Sequence, residues 1–322
     1  MAASDASITV VIPTHDRPDF AARAVRLALA QRVEAHVVVV DNGSTPANSA
    51  RVAALASDAV EVIVDERALG PNGARNAGVR AARTRWVAFL DDDDVWAPDK
   101  LQRQLDLLDA NPQAQWCGSG AVFFDQRGAI VHCQPAPPSD DLLRRLLAAN
   151  RISGGGSVVV VRRDLLLDAG GFDETLTFGE EWECWIRLAL RAPAVFVPHP
   201  LVGYFLHEEG GSVVTEWRHP DLVTIEERYA VQRAALGVEL DWNSHIFATA
   251  SRLMFAGRRV AAARMFGTVV RRAPSVEGVA GMVGSIVAPG LTSRAAKWRA
   301  RRNIPPETLD EIQRWLPDAI AF

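Results

Sequence analysis

Short apolar runs punctuate the first third of the chain, at Ile8–Ile12, His36–Val40, Val60–Val64 and Trp86–Leu90. Each is rich in β-branched or aromatic residues and too short for a buried helix, so each predicts a strand. Between them lie Ala/Arg-rich stretches with helical spacing, such as Phe20–Gln31 and Gly73–Arg83. Strand alternating with helix at this spacing predicts successive βαβ units, hence an α/β fold around a mostly parallel central sheet. Parallel strands joined by right-handed crossovers all end on one edge, and ligands of open α/β sheets bind along that edge. The residues after each strand are therefore informative. The first strand runs into Pro13-Thr14-His15-Asp16-Arg17, the second into Asp41-Asn42-Gly43-Ser44, the third into Asp65-Glu66 and the fourth into Asp91-Asp92-Asp93-Asp94. Every exit is polar and most are acidic, so residues far apart along the chain are predicted to share one cleft.

Downstream, the pattern predicts a helix at Asp99–Asp109, strands at Gln115–Phe124 and Ala129–His132, a proline-rich break at Pro135–Pro138 and a helix at Asp140–Ala149. A Ser-Gly-Gly-Gly turn (Ser153–Gly156), a strand (Ser157–Val161), a helix (Glu181–Leu190) and strands near Val195–Val197 and Val202–Leu206 follow. From Pro220 the spacing is helical, interrupted at Gly237, Pro274, Pro289 and Pro305-Pro306. A domain boundary is expected near Trp217.

Composition changes this picture little; charge placement changes it more. With 48% hydrophobic and 23% charged residues over 322 positions, the chain is an ordinary soluble globular protein. A net charge of −4 provides no global positive field, so no nucleic acid partner is expected. Yet Ser251–Arg302 holds 11 Arg/Lys and a single acid, Glu277, a net +10, which leaves −14 for the remainder. An acidic front and a basic rear suggest different partners for the two regions. Two readings of the rear stand: a helical cap with solvated arginines, or peripheral contact with an anionic membrane surface through Val276–Leu291 and the basic residues Arg294, Lys297, Arg299, Arg301 and Arg302 around Trp298. Cys117, Cys133 and Cys184 are odd in number and far apart, which argues against a disulfide framework or a zinc site. With no basic and apolar leader at Met1–Ser7, a cytoplasmic location is expected, with the inner face of the membrane as its peripheral variant.

Four consecutive aspartates at a strand end are the strongest chemical signal. Adjacent carboxylates repel unless positive charge sits among them, and a hard divalent cation shared with substrate phosphates is one solution. The plain alternative is a solvated acidic turn before a helix N-terminus. No G-x-x-x-x-G-K-[ST] loop, no G-x-G-x-x-G after the first strand and no G-x-S-x-G elbow occurs, which excludes P-loop kinases, dinucleotide enzymes and α/β-hydrolases.

The runs "ITVVIPTHDR" (Ile8–Arg17), "VVDNGST" (Val39–Thr45), "GARNAG" (Gly73–Gly78), "FLDDDDVW" (Phe89–Trp96), "GGFDE" (Gly170–Glu174) and "GEEWECWIR" (Gly179–Arg187) resemble, in order, the motifs of family-2 glycosyltransferases. The resemblance implies a GT-A αβα sandwich over residues 1–217, with a nucleotide-binding half (about 1–112) and an acceptor half (about 113–217), ahead of a helical region, 218–322. It implies inverting transfer of a hexosyl or related sugar from a UDP-, dTDP- or GDP-sugar to an acceptor hydroxyl, with Mn²⁺ or Mg²⁺. The acceptor would be a polysaccharide, a lipid-linked saccharide or a natural product. Asp91-Asp92-Asp93 matches the D-x-D element, so Asp91 would contact ribose or metal, Asp92 the nucleotide sugar, and Asp93 the metal. Pro13, Thr14 and Arg17 would flank base and ribose, Asp41 would accept the base N–H, and Arg75 would lie near the sugar-phosphate. His207 matches a position where some members place a histidine near metal or diphosphate.

Each assignment has a structural counterpart. Asp41 before Asn-Gly suits an Asx-type turn, Arg75 a solvated helix arginine, and His207 a solvated strand end. Thr177-x-x-Glu180 reads as a capping box, which accounts for Glu180. That leaves Glu181, where the family usually has aspartate, as the expected general base. Trp182, Trp185 and Ile186 read as the buried face of the same helix. Two rivals remain: a sugar nucleotidyltransferase, for which Pro13–Asp19 lacks the expected glycine-rich triphosphate loop, and a catalytically silent GT-A-like subunit at a membrane surface.

Overall fold

The computed structural model describes residues 8–65, 67, 70–206, 219–255, 257–287 and 304–321. Strand β1 (Ile8–Thr14), helix α1 (Pro18–Leu29), β2 (Ala35–Asp41), α2 (Pro46–Ala53), β3 (Val60–Val64), α3 (Gly70–Ala81) and β4 (Trp86–Phe89) form the predicted βαβ series. β1 pairs in parallel with both β2 and β4, and β2 with β3. The inner strands of this half are buried except at His36, as expected of a sheet covered on both faces.

The second half departs from parallel order. It comprises β5 (Val95–Trp96), α4 (Lys100–Asp109), β6 (Trp116–Phe124), β7 (Ile130–Gln134), α5 (Leu142–Ala148), a 3₁₀ turn at Gly156–Val158, β8 (Val160–Arg162), α6 (Arg163–Asp168), α7 (Glu180–Ala189) and β9 (Ala194–Phe205). The sheet order is β3-β2-β1-β4-β8-β6-β9-β5, with β7 beside β6. β8 runs antiparallel to both β4 and β6, while β6 and β9 are parallel. The parallel sheet therefore belongs to the first half, and β8 joins it to a mixed second half.

Several boundaries differ from those expected. The predicted strand Ser157–Val161 opens instead as the 3₁₀ turn, and strand geometry begins only at Val160. The strands near Val195–Val197 and Val202–Leu206 are one strand, β9, which passes Pro198 and Pro200 with a register shift against β6. The Thr177–Glu180 capping box is absent. The N-cap of α7 is Gly179 (φ 75°), with no side-chain cap, and Thr177 Oγ1 instead donates to Asp221 Oδ2 at 2.9 Å. Asp221 also accepts the Thr177 and Phe178 N–H groups, so a carboxylate from the next region outcompetes the local box.

Helices α8 (Pro220–Arg228), α9 (Ala230–Leu236), α10 (Trp242–Phe255), α11 (Arg259–Arg272), α12 (Val276–Val287) and α13 (Pro306–Ile320) complete the described chain. One hydrophobic core runs from Ile8 to Ala319 and includes Trp182, Trp185 and Ile186, as expected. Glu183, fully buried on α7, ties this region to the sheet half. It accepts from Arg187 (2.7 Å), Arg228 (2.8 Å) and the Tyr229 hydroxyl (2.7 Å). A buried carboxylate needs such complete pairing, and here the pairing fixes the helix that carries Glu181. All three cysteines are free thiols.

Candidate active site

The C-terminal ends of β1, β2 and β4 converge as the strand pattern predicted. At the β4 exit the four aspartates have four different environments. Asp92 is buried and accepts from Thr14 Oγ1 at 2.7 Å. Burial, with Asp93 next to it, pushes its carboxyl up to about 7. Asp94, also buried, accepts the Phe205 N–H at 3.2 Å, and its carboxyl is pushed well above the ordinary range by burial and then by Asp93 and Asp91. These two hold the loop in place.

Asp91 and Asp93 point the other way, with side chains 22% and 21% exposed. Arg17 Nη1 donates to Asp93 Oδ2 at 2.8 Å and reaches Asp92 Oδ1 at 3.4 Å, while buried Arg23 donates to the Asp93 carbonyl at 2.9 Å. Arg75 is only 4% exposed. Its Nη2 donates to both Asp91 oxygens, at 2.7 and 2.9 Å, and lies 3.1 Å from Glu181 Oε1. Burial works against its charge, but Asp91 and Glu181 outweigh this and hold the guanidinium more firmly protonated than usual. The solvated-arginine reading of Arg75 is thereby excluded.

Glu181 is likewise not idle structurally. Its Oε1 accepts the Gly156 N–H at 2.7 Å as well as facing Arg75, and the side chain is 19% exposed. Burial, then Glu180 and Asp91, raise its carboxyl to about 7 against the pull of Arg75. Gly155 makes this approach feasible: its φ is +63°, and a Cβ there would meet Glu181 Oε1 at 3.0 Å. Ser157 Oγ accepts the Asp91 N–H at 3.0 Å, so the turn after Ser153 positions both Glu181 and Asp91.

Asp41 is 0% exposed. Oδ1 accepts the Ser44 N–H at 3.1 Å, the expected turn, whereas Oδ2 is buried with no hydrogen-bond partner among the described residues. Pro13 and Thr14 end β1 beside Asp41, with Thr14 in register with it. His207 lies outside the described residues. Sequence reasoning missed Arg23 and Ser157. An arginine within α1 and a serine after a glycine run resemble solvated positions, and only packing turns them inward.

No three His, Cys, Asp or Glu side chains among the described residues cluster closely enough to cage a metal unaided. Asp91 and Asp93 nonetheless present hard oxygen donors at accessible positions. That donor set suits a divalent cation shared with a diphosphate better than an all-protein site.

An αβα sandwich with its polar exits on one edge is a nucleotide-binding architecture of GT-A type. The fold of S. aureus TarS 1-349 is similar: its complex with UDP-GlcNAc gives a TM-score of 0.57 at 18% identity, covering 96% of this chain and 91% of that one, and its complex with UDP gives 0.56. Residues 9–168 match glycosyl transferase family 2. Succinoglycan biosynthesis protein ExoO of Rhizobium meliloti is 33% identical over 241 residues, 71% of this chain and 69% of that protein. ExoU of the same organism is 29% identical over 253 residues, covering 73% and 71%. The chain belongs to glycosyl transferase family 2 and is a glycosyltransferase.

Proposed function

We propose that this protein is an inverting glycosyltransferase that moves a hexosyl or related sugar from a nucleoside-diphosphate sugar to an acceptor hydroxyl, using Mn²⁺ or Mg²⁺, in the cytoplasm. The observation that carries this reading is the Asp91–Arg75–Glu181 bridge. It sets a carboxylate of suitable basicity beside the D-x-D aspartates. Residues 1–217 would form the catalytic domain, with donor and acceptor halves meeting at this bridge, and 218–322 its helical companion. The joining of Asp91 and Glu181 by one buried guanidinium favours an active enzyme over a silent subunit, and the family assignment favours sugar transfer over nucleotidyl transfer.

Asp41 Oδ2, without a hydrogen-bond partner among the described residues, would accept the N–H of a base whose entry displaces what covers it. Thr14 and Pro13 would bound the base and ribose, with Asp92 fixing Thr14. Asp91 and Asp93 would hold the cation, which when bound supplies Lewis-acid stabilisation to the departing diphosphate. Arg17 and Arg75 lie where the donor's phosphates would approach. Glu181 Oε1 is engaged by Gly156 and Arg75, leaving Oε2 to take the acceptor proton as its oxygen attacks the anomeric carbon. Attack opposite the leaving diphosphate inverts the anomeric centre.

The test is thermal unfolding of the whole chain with UDP, dTDP and GDP, each with and without Mn²⁺ or Mg²⁺, followed by transfer assays with the matching sugars. Binding to the native state raises the transition temperature. Stabilisation by one nucleotide that depends on the cation is expected. No stabilisation by any of them would overturn the reading.

A further inference from the structure

Helix α12 presents the reverse of an ordinary surface helix. One side packs on α11 through glycines: a Cβ at Gly281 would meet the Phe266 ring at 2.8 Å, and one at Gly278 would meet Val270 at 3.0 Å. Ser285 on that side is fully buried and closes its hydroxyl onto the Gly281 carbonyl. The opposite side carries Val276 (81% exposed), Val279 (43%), Val283 (49%) and Ile286 (61%). Their spacing of three, four and three places them in one stripe along a helix about 18 Å long. Solvent therefore meets the apolar face, whereas surface helices normally hide theirs.

The surroundings are basic. Arg258 at the N-cap of the adjoining α11 and Arg259, Arg264, Arg271 and Arg272 along it are all exposed, and Ser251–Val287 holds six arginines against a single acid, Glu277. No described helix is long and apolar enough to cross a membrane. An apolar stripe in a cationic field matches a surface that is apolar beneath and anionic above. We propose that the α12 stripe docks this protein on an anionic lipid bilayer. The valines and Ile286 enter the acyl boundary, and the arginines of α11 meet the lipid phosphates. A second copy fits less well, because it would bring two arginine-rich α11 surfaces together. This inference does not depend on the transferase chemistry.

The experiment uses the full chain with vesicles of phosphatidylglycerol or of phosphatidylcholine, at low and high ionic strength, and compares the wild type with a Val276→Ser/Ile286→Ser double variant. Both positions are exposed, so the fold should persist, and thermal unfolding checks this. The expected result is binding to phosphatidylglycerol that weakens with salt, little binding to phosphatidylcholine, and a loss of about tenfold or more in affinity for the double variant. Three results would overturn the inference. The wild type could ignore phosphatidylglycerol at low ionic strength, or the double variant could bind as tightly as wild type, meaning charge alone acts. Sedimentation could instead reveal a wild-type dimer that the variant dissolves, meaning a second copy covers the stripe.

Discussion

Replacing Arg75 with methionine removes the one guanidinium that bridges Asp91 and Glu181. Its Nη2 lies 2.7 and 2.9 Å from the Asp91 oxygens and 3.1 Å from Glu181 Oε1, and the side chain is 4% exposed. Breaking a buried pair from one side costs about 3–5 kcal/mol, because the remaining charges stay without compensation. Asp91 and Glu181 retain about a fifth of their exposure, so water relieves part of this and the lower end, about 3 kcal/mol, applies. With an unfolding entropy of about 2.1 cal/mol/K per residue over 322 residues, each kcal/mol moves the midpoint by about 1.5 °C. Arg75→Met should therefore lower Tm by about 4–5 °C in calorimetry. The deficit should depend on pH. Glu181 has a folded pKa near 7, above its ordinary 4.5, so the stability linked to its protonated form is full below that ordinary value and lost as pH rises through 7. Without Arg75 the charged form is still less favourable, so the variant should lie closer to wild type at about pH 5 than at about pH 8. A Tm within about 1 °C of wild type at the higher pH would refute the argument that Arg75 holds these carboxylates.

Glu181→Gln should reduce kcat by about 10²–10⁴-fold with donor binding intact, and the wild-type rate should fall as pH drops below about 7, where Glu181 becomes protonated. If Glu180→Gln is inactive while Glu181→Gln is near normal, the base is Glu180, which has no capping box to explain it. Asp93→Asn should abolish cation-dependent turnover with little loss of thermal stability, and full activity in excess chelator would refute the cation's role. Asp41→Ala should weaken nucleoside-diphosphate binding by about 1–3 kcal/mol, measured by calorimetry, because it removes Oδ2, which has no partner among the described residues; unchanged affinity would leave Asp41 as a turn residue only.

Strand period and turn chemistry are local properties, and from them the sequence alone determined that β1 to β4 alternate with helices and that their exits share one polar edge. The ordered motifs then pointed to the family and to Asp41, Asp91, Asp93 and Glu181 as residues worth testing. Only the tertiary structure decided what each of those side chains faces. Arg75 resembles any solvated helix arginine until packing encloses it between a strand exit and a helix far along the chain. The Thr177 box satisfied every local rule, yet Asp221 reaches the same donors from another helix and displaces it. Apart from Glu277 and Ser285, α12 reads as small and apolar residues, and only its packing on α11 reveals which side stays exposed. In each case local sequence sets which partners a group is able to take, while burial and distance, fixed by the whole fold, decide which one it meets.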